Sequence, residues 1–64
     1  MIKINGTEQD FAGKTVADYL AENGYDIKRV AVELNEDILP KSQYEDTFLK
    51  DGDVMEVVSF VGGG

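Results

Sequence analysis

The chain has 64 residues, no cysteine, no histidine and a formal net charge of −7. The missing residue types exclude a disulfide framework, cysteine-ligated iron–sulfur clusters and zinc sites built on cysteine or histidine, and they remove the commonest nucleophile and general base of enzymes. Because nucleic acids and anionic membranes are bound through lysine and arginine, the negative charge argues against both as partners.

The acidity of the chain suits a protein partner with a basic face, since complementary electric fields raise the encounter rate. Acidity that only keeps a small protein soluble is the alternative. Residues 1–5 lack the basic segment and apolar stretch of a signal peptide, and no apolar run approaches the ~20 residues of a membrane span. We therefore expect a cytoplasmic protein, and the absence of cysteine fits a reducing compartment.

The chain begins with the pattern of a β-hairpin. Ile2 and Ile4 alternate with polar residues, which is the period of a half-buried strand. Asn5-Gly6 favours a tight type I′ turn, in which both central residues need positive φ. A second strand with a weak apolar pattern follows over residues 7–11, and we interpret it as an edge strand.

A helix is predicted next, over residues 16–23. Thr15 followed by Asp18 three residues later forms a capping box. Apolar residues one turn apart form a single stripe inside this segment. Gly24 is typical of the position just past a helix end.

The third strand is predicted over residues 30–34, where apolar and other residues alternate. A turn follows over residues 35–37. Residues 38–40 form a short extended piece, and Pro40 limits it to the edge of a sheet because it has no N–H to donate.

The last third of the chain combines an irregular segment with a long strand. Residues 41–49 have no regular period, and they offer three large side chains to cover the core: Tyr44, Phe48 and Leu49. A turn over residues 50–53 leads into residues 54–61, which form the strongest predicted strand of the chain.

These elements predict an α+β fold. The order strand, strand, helix, strand, short strand, strand suggests one mixed sheet with a helix packed across a single face, which is the ββαββ arrangement of a β-grasp. We expect a single domain over residues 1–61 and a flexible glycine tail over residues 62–64.

The last predicted strand has one solvated face, which Glu56 marks. Val58 and Phe60 share this face with Glu56, beside Ala31 on a neighbouring strand. An exposed apolar patch often marks a protein interface. We therefore predict a partner-docking patch of Ala31, Val58 and Phe60; the alternatives are that the tail, a loop or a second subunit covers it.

Three glycines, Gly62, Gly63 and Gly64, follow this strand. Glycine adds no side chain to a core and is costly to order. Three extended residues reach about 10 Å, at ~3.3–3.6 Å each. Such a tail could carry the Gly64 carboxylate, as an unhindered acyl group, into a channel too narrow for side chains. A frayed end without function is the alternative.

The whole chain resembles the ubiquitin-like sulfur carrier proteins of thiamine biosynthesis, the ThiS family within the ThiS/MoaD superfamily. Tyr44 departs from the family, in which we associate this position with tryptophan. The small subunit of molybdopterin synthase, usually somewhat longer, is the next resemblance. The residues that carry the resemblance are the short start over residues 1–5, Val32-Glu33-Leu34-Asn35, Ile38-Leu39-Pro40-Lys41, Asp51-Gly52-Asp53 and Phe60-Val61-Gly62-Gly63-Gly64.

The resemblance implies that an adenylating enzyme, similar to ubiquitin-activating enzymes, activates the Gly64 carboxylate with ATP and magnesium. Sulfur from a cysteine persulfide on another protein then yields a thiocarboxylate, which donates sulfur to the thiazole ring on a thiazole synthase. Gly62 and Gly63 would enter the partner's active site. The chain itself would be a protein co-substrate and not an enzyme, with no catalytic residue, bound cofactor or metal of its own.

Two other classes stay open at this point. One is a binding module, such as the β-grasp domains that accompany RNA-binding proteins, against which the negative charge argues. The other is a ubiquitin-like modifier that is joined to lysines through the same tail.

Overall fold

The computed structural model describes residues 1–60. Five strands within this range form one mixed sheet in the order β2-β1-β5-β3-β4. Strands β1 and β5 run parallel, and the other neighbours are antiparallel. The strands are β1 (Ile2–Ile4), β2 (Thr7–Gln9), β3 (Val30–Leu34), β4 (Asp37–Leu39) and β5 (Val54–Ser59). Helix α1 (Val16–Glu22) packs on one face of this sheet, and short 3₁₀ helices cover Ile27–Arg29 and Lys41–Gln43. The predicted β-grasp is confirmed.

Two tight turns set the strand register. Asn5 and Gly6 have φ values of 49° and 84°, as a type I′ turn requires, and Ile4 pairs with Thr7 across it. The second turn consists of Asn35 and Glu36 alone, with φ values of 53° and 73°. The prediction of a turn over residues 35–37 was therefore one residue too long, because Asp37 already pairs with Leu34.

The capping box at the start of α1 is present as predicted. The Asp18 N–H donates to Thr15 Oγ1 at 3.0 Å, and the Thr15 N–H donates to Asp18 Oδ2 at 3.2 Å. The helix ends at Glu22, one residue earlier than predicted, with Asn23 as its C-cap. Gly24 follows with a φ of 76°, which closes the helix in the left-handed conformation.

The core lies between α1 and the sheet, and its side chains come from α1, from strands β1, β3 and β5, and from the segment between β4 and β5. Burial raises the pKa values of the phenols of Tyr19 and Tyr44 above their usual value. The buried apolar residues are Ile2, Ile4, Val16, Tyr19, Leu20, Val30, Val32, Tyr44, Leu49, Met55 and Val57.

The prediction that Phe48 covers the core was wrong, because its side chain is 60% exposed. Phe48 forms a β-bridge with Thr15, and the Leu49 N–H donates to the Lys14 carbonyl at 2.8 Å, so this stretch is locally extended. Alternation in an extended segment places Leu49 in the core and Phe48 outside it. Tyr44 and Leu49 are buried, as predicted.

Two strands end earlier than the sequence suggested. Strand β2 stops at Gln9 and not at residue 11. Phe11 instead packs edge-on against Tyr19, with ring centroids 4.8 Å apart. Strand β5 ends at Ser59, and Val61 lies outside the described residues together with the glycine tail, as does the predicted domain boundary.

Candidate functional site

The face of the sheet opposite α1 carries exposed apolar side chains. On β5, Met55 and Val57 point into the core, whereas Val54, Val58 and Phe60 on the other side are each about half exposed, at 46%, 54% and 54%. The alternation predicted for the last strand is therefore confirmed. We call the solvent-facing side of the whole sheet, together with Phe60 directly after β5, the open face.

The structure brings Ala31, Val58 and Phe60 together on the open face. Ala31 is half-buried and pairs directly with Val58 in the β3–β5 register. The Phe60 N–H donates to the Arg29 carbonyl at 2.7 Å, which extends the same ladder beyond the end of β5. The geometry of the predicted patch is thus present, and its role in docking a partner stays a prediction.

Ile38 belongs to this surface as well, although sequence reasoning did not place it there. It lies on edge strand β4 opposite Glu33, and its side chain is 77% exposed. The signal for Ile38 was available in the sequence, because a two-residue turn after Leu34 fixes which face each residue of β4 occupies. Reading the turn as three residues long hid it.

A shallow cavity of about 250 Å³ lies beside Phe60, where β3 and β4 meet the second 3₁₀ helix. Lys41 closes one side of it, since its ammonium group donates to the carbonyl oxygens of Ile27 and Val30 at 2.9 and 2.7 Å. This cation is therefore fixed by backbone carbonyls. The lining includes Ala31, Ile38, Leu39, Pro40, Lys41 and Phe60.

Strand β5, which leads towards the tail, is anchored by polar groups at its start. Asp53 is buried, and its carboxylate accepts from the Lys50 N–H at 2.8 Å and from the Asn35 amide at 3.0 Å. The Asn35 side chain in turn accepts from the Val54 N–H at 2.9 Å. The sequence analysis placed Asp53 in a turn and in the Asp51-Gly52-Asp53 motif, and neither observation indicated these hydrogen bonds.

The side chain of Asn5 holds the other side of the same strand. Its Oδ1 accepts from the Val57 N–H at 2.8 Å, which continues the pairing with β5 beyond the end of β1 and into the hairpin turn. In the described part of the chain, every buried polar side-chain atom has a hydrogen-bond partner. Strand β5 is therefore fixed in register from both sides.

Within residues 1–60, no group of three or more acidic side chains is arranged to hold a metal ion. Over the same range, no helix has the length and apolar character needed to cross a membrane. The predicted site residues Gly62, Gly63 and Gly64 lie outside the described residues, so their roles stay predictions.

Comparison with known proteins places this geometry in a family. The model of the ThiS family matches residues 2–64. The sulfur carrier protein ThiS of Thermus thermophilus is 42% identical over 64 residues, which cover 100% of both chains. The chain is also 50% identical over 62 residues to a thiazole synthase from Paramagnetospirillum magneticum; the match covers 95% of this chain but spans only 19% of that protein.

The fold comparison agrees with the sequence comparison. The crystal structure of the thiamine biosynthesis protein ThiS from Geobacter metallireducens superimposes with a TM-score of 0.77 at 33% identity, covering 98% of this chain and 97% of that one. Together with the family match over residues 2–64, this similarity shows that the chain belongs to the ThiS family.

Proposed function

We propose that this chain is the sulfur carrier of a thiamine biosynthesis pathway and that the Gly64 carboxylate carries the sulfur as a thiocarboxylate. The observation that carries the proposal is the family match, which extends through the three glycines to residue 64. The Thermus thermophilus sulfur carrier, aligned over the full length of both chains, supports it.

In the proposed cycle, an adenylating enzyme joins the Gly64 carboxylate to the AMP part of ATP and releases pyrophosphate, with magnesium on that enzyme. A cysteine persulfide on another protein attacks the acyl carbon and displaces AMP. A thiol then cleaves the resulting S–S bond and leaves the thiocarboxylate on Gly64. Adenylation is needed because it replaces a poor leaving group by a good one.

The chain acts in this cycle as a protein co-substrate in the cytoplasm, and the catalytic groups, ATP and magnesium belong to the partners. Gly62 and Gly63 enter the partner's active site, and the patch of Ala31, Val58 and Phe60 docks on its surface. The acceptor is a thiazole synthase. This assignment is supported by the thiazole synthase of Paramagnetospirillum magneticum, which contains a segment similar to nearly the whole of this chain.

The test is conversion of the purified protein with the adenylating enzyme, a persulfide donor, a thiol reductant, ATP and magnesium. Mass spectrometry should show that one oxygen of the protein is replaced by sulfur. Adding one residue after Gly64 should abolish the conversion, because the new carboxylate overshoots by about 3.5 Å and a misplacement of 1 Å can cost about 10²-fold in rate.

Two further variants sharpen this test. Gly63→Ala should slow conversion, since a methyl group clashes in a narrow channel, whereas Glu36→Ala in the β3–β4 turn should not. An extended variant that still becomes a thiocarboxylate without prior trimming would contradict the mechanism. If the protein is found in cells joined to lysines of other proteins by an isopeptide bond, it would instead be a ubiquitin-like modifier.

A further inference from the structure

Two glutamates lie directly opposite each other in the middle of the open face. Glu33 on β3 pairs with Glu56 on β5 in the antiparallel register, and both side chains are exposed. Like charges directly opposite on neighbouring strands destabilise a sheet. We therefore expect the free protein to gain stability when either glutamate is replaced by a neutral residue.

No basic side chain neutralises this pair inside residues 1–60, where neither carboxylate forms an ion pair. Lys3 shares the open face; its direct partners are Glu8 on β2 and Val54 on β5, which makes Glu56 its diagonal neighbour, and no ion pair joins Lys3 to Glu56 within residues 1–60. Arg29, near Phe60, is paired with Asp26 at 3.6 Å. Within the described residues, no ion pair therefore offsets the like charges of Glu33 and Glu56.

The surroundings of the pair are apolar. Val54 and Val58 flank Glu56 on β5, and Ile38 lies opposite Glu33 on the edge strand. Each of these side chains is exposed. A protein that covers this surface must bury the two carboxylates, which is costly unless a cation meets them with direct hydrogen bonds.

These observations define the chemistry of the partner. Two exposed glutamates at paired strand positions offer several acceptor oxygens and no donor, and the planar guanidinium of arginine matches carboxylates with parallel N–H donors. Apolar side chains around that arginine would contact Val54, Val58 and Ile38. Departures from the local rules of stability are expected at functional or strained sites.

We propose that Glu33 and Glu56 jointly accept an arginine side chain of the adenylating enzyme at the centre of the open face. The identity of the partner rests on the proposed function; the chemistry of the contact rests on the register and the exposed side chains. The repulsion between the glutamates is stored in the free carrier and released on binding, so the pair favours the complex in two ways.

The test compares three variants that each remove one negative charge. Glu33→Gln and Glu56→Gln act on the pair, whereas Glu45→Gln acts at the cavity between α1 and Phe48, on the other side of the molecule. Affinity for the purified adenylating enzyme is measured by calorimetry, and the thermal midpoint Tm of each free variant by circular dichroism.

We expect Glu33→Gln and Glu56→Gln each to raise the Kd about tenfold, equivalent to about 1.4 kcal/mol, and Glu45→Gln to change it little. The same two variants should raise the Tm of the free protein by about 1–5 °C, because the cross-strand repulsion is gone. Better stability with weaker binding is the signature of the proposal.

Equal Kd values for all three variants and the unchanged protein would overturn the proposal. If the Tm stays the same or falls in both Glu33→Gln and Glu56→Gln, the glutamate pair does not destabilise the free protein, and this part of the proposal is overturned. Failure of the proposed function is recognised separately, since the unchanged protein would then form no thiocarboxylate. If it does form one while the Kd values are equal, only the arginine contact is wrong.

Discussion

The six residues of β5 contribute to two faces of the sheet, of which one packs into the core and the other is exposed to solvent. On the covered face, Met55 is fully buried and Val57 is 7% exposed. On the open face, Val54 and Val58 are about half exposed and Glu56 faces Glu33 of the neighbouring strand. Because successive side chains of a strand point to opposite faces of the sheet, neighbouring residues of β5 lie on different faces.

This comparison shows how a chain of 64 residues can be both a stable fold and a recognition surface. A domain of this size buries only about 60% of its unfolded surface, so few side chains can be spared from the core. The covered face uses aliphatic residues and satisfied polar groups. The open face keeps apolar side chains that are only about half buried, together with the exposed glutamates Glu33 and Glu56.

The largest expected effect is a difference in stability between aspartate variants of two adjacent valines. Val57→Asp should unfold the protein, because an unpaired carboxylate in the core costs about 4 kcal/mol or more, against a total stability of ~3–10 kcal/mol for a chain of this length. Val58→Asp should leave the fold intact. Circular dichroism and thermal melting of the two variants, side by side, provide the measurement. A folded Val57→Asp variant would contradict the assignment of the two valines to a covered and an open face.

The next effect is on binding. Phe60→Glu should raise the Kd for the adenylating enzyme at least about tenfold, since burial of a phenylalanine side chain contributes ~1.5–3 kcal/mol. Phe48→Glu is the matched control, because Phe48 is similarly exposed but lies beside α1. Both variants should keep the native circular dichroism spectrum. Unfolding of Phe60→Glu would assign this side chain to the core.

A smaller effect is expected at the start of β5, where the covered layer is polar. Asp53→Ala removes the acceptor of the Lys50 N–H and of the Asn35 amide, and should lower the free energy of unfolding by about 1–3 kcal/mol. Urea denaturation measures this change. Asp51→Ala is the control in the same turn, because the Asp51 carboxylate is exposed and, among residues 1–60, its hydrogen bond is to the Met1 amino group. An equal loss of stability in Asp51→Ala would show that the hydrogen bonds of Asp53 are not what stabilises this turn.

The sequence predicted what depends on local patterns. The capping box at Thr15, the turn at Asn5-Gly6 and the alternation along β5 each follow from short-range sterics and hydrogen bonding. Phe48 was predicted wrongly because its large apolar side chain suggested burial, and nothing local revealed the bridge to Thr15.

The long-range contacts of the candidate site were beyond sequence reasoning. Asp53 and Asn35 are 18 positions apart, and no short pattern indicates that their side chains meet. The pairing of Glu33 with Glu56 likewise depends on the register between β3 and β5. Register is fixed by the turns and by burial of one face, so it becomes visible only when the whole sheet is assembled.

The smallest expected effect concerns stability without the tail. Removing Gly63 and Gly64 should leave the Tm unchanged within about 1–2 °C, because glycines have no side chain to pack and a change of 1 kcal/mol would shift the Tm by about 4–8 °C in a domain of this size. The same variant should form no thiocarboxylate at all. Thermal melting and mass spectrometry on one sample measure both. A clear fall in Tm would show that the tail packs against the body and contributes to the fold, and the division between a stabilising covered face and a functional open face with its tail would then have to be redrawn.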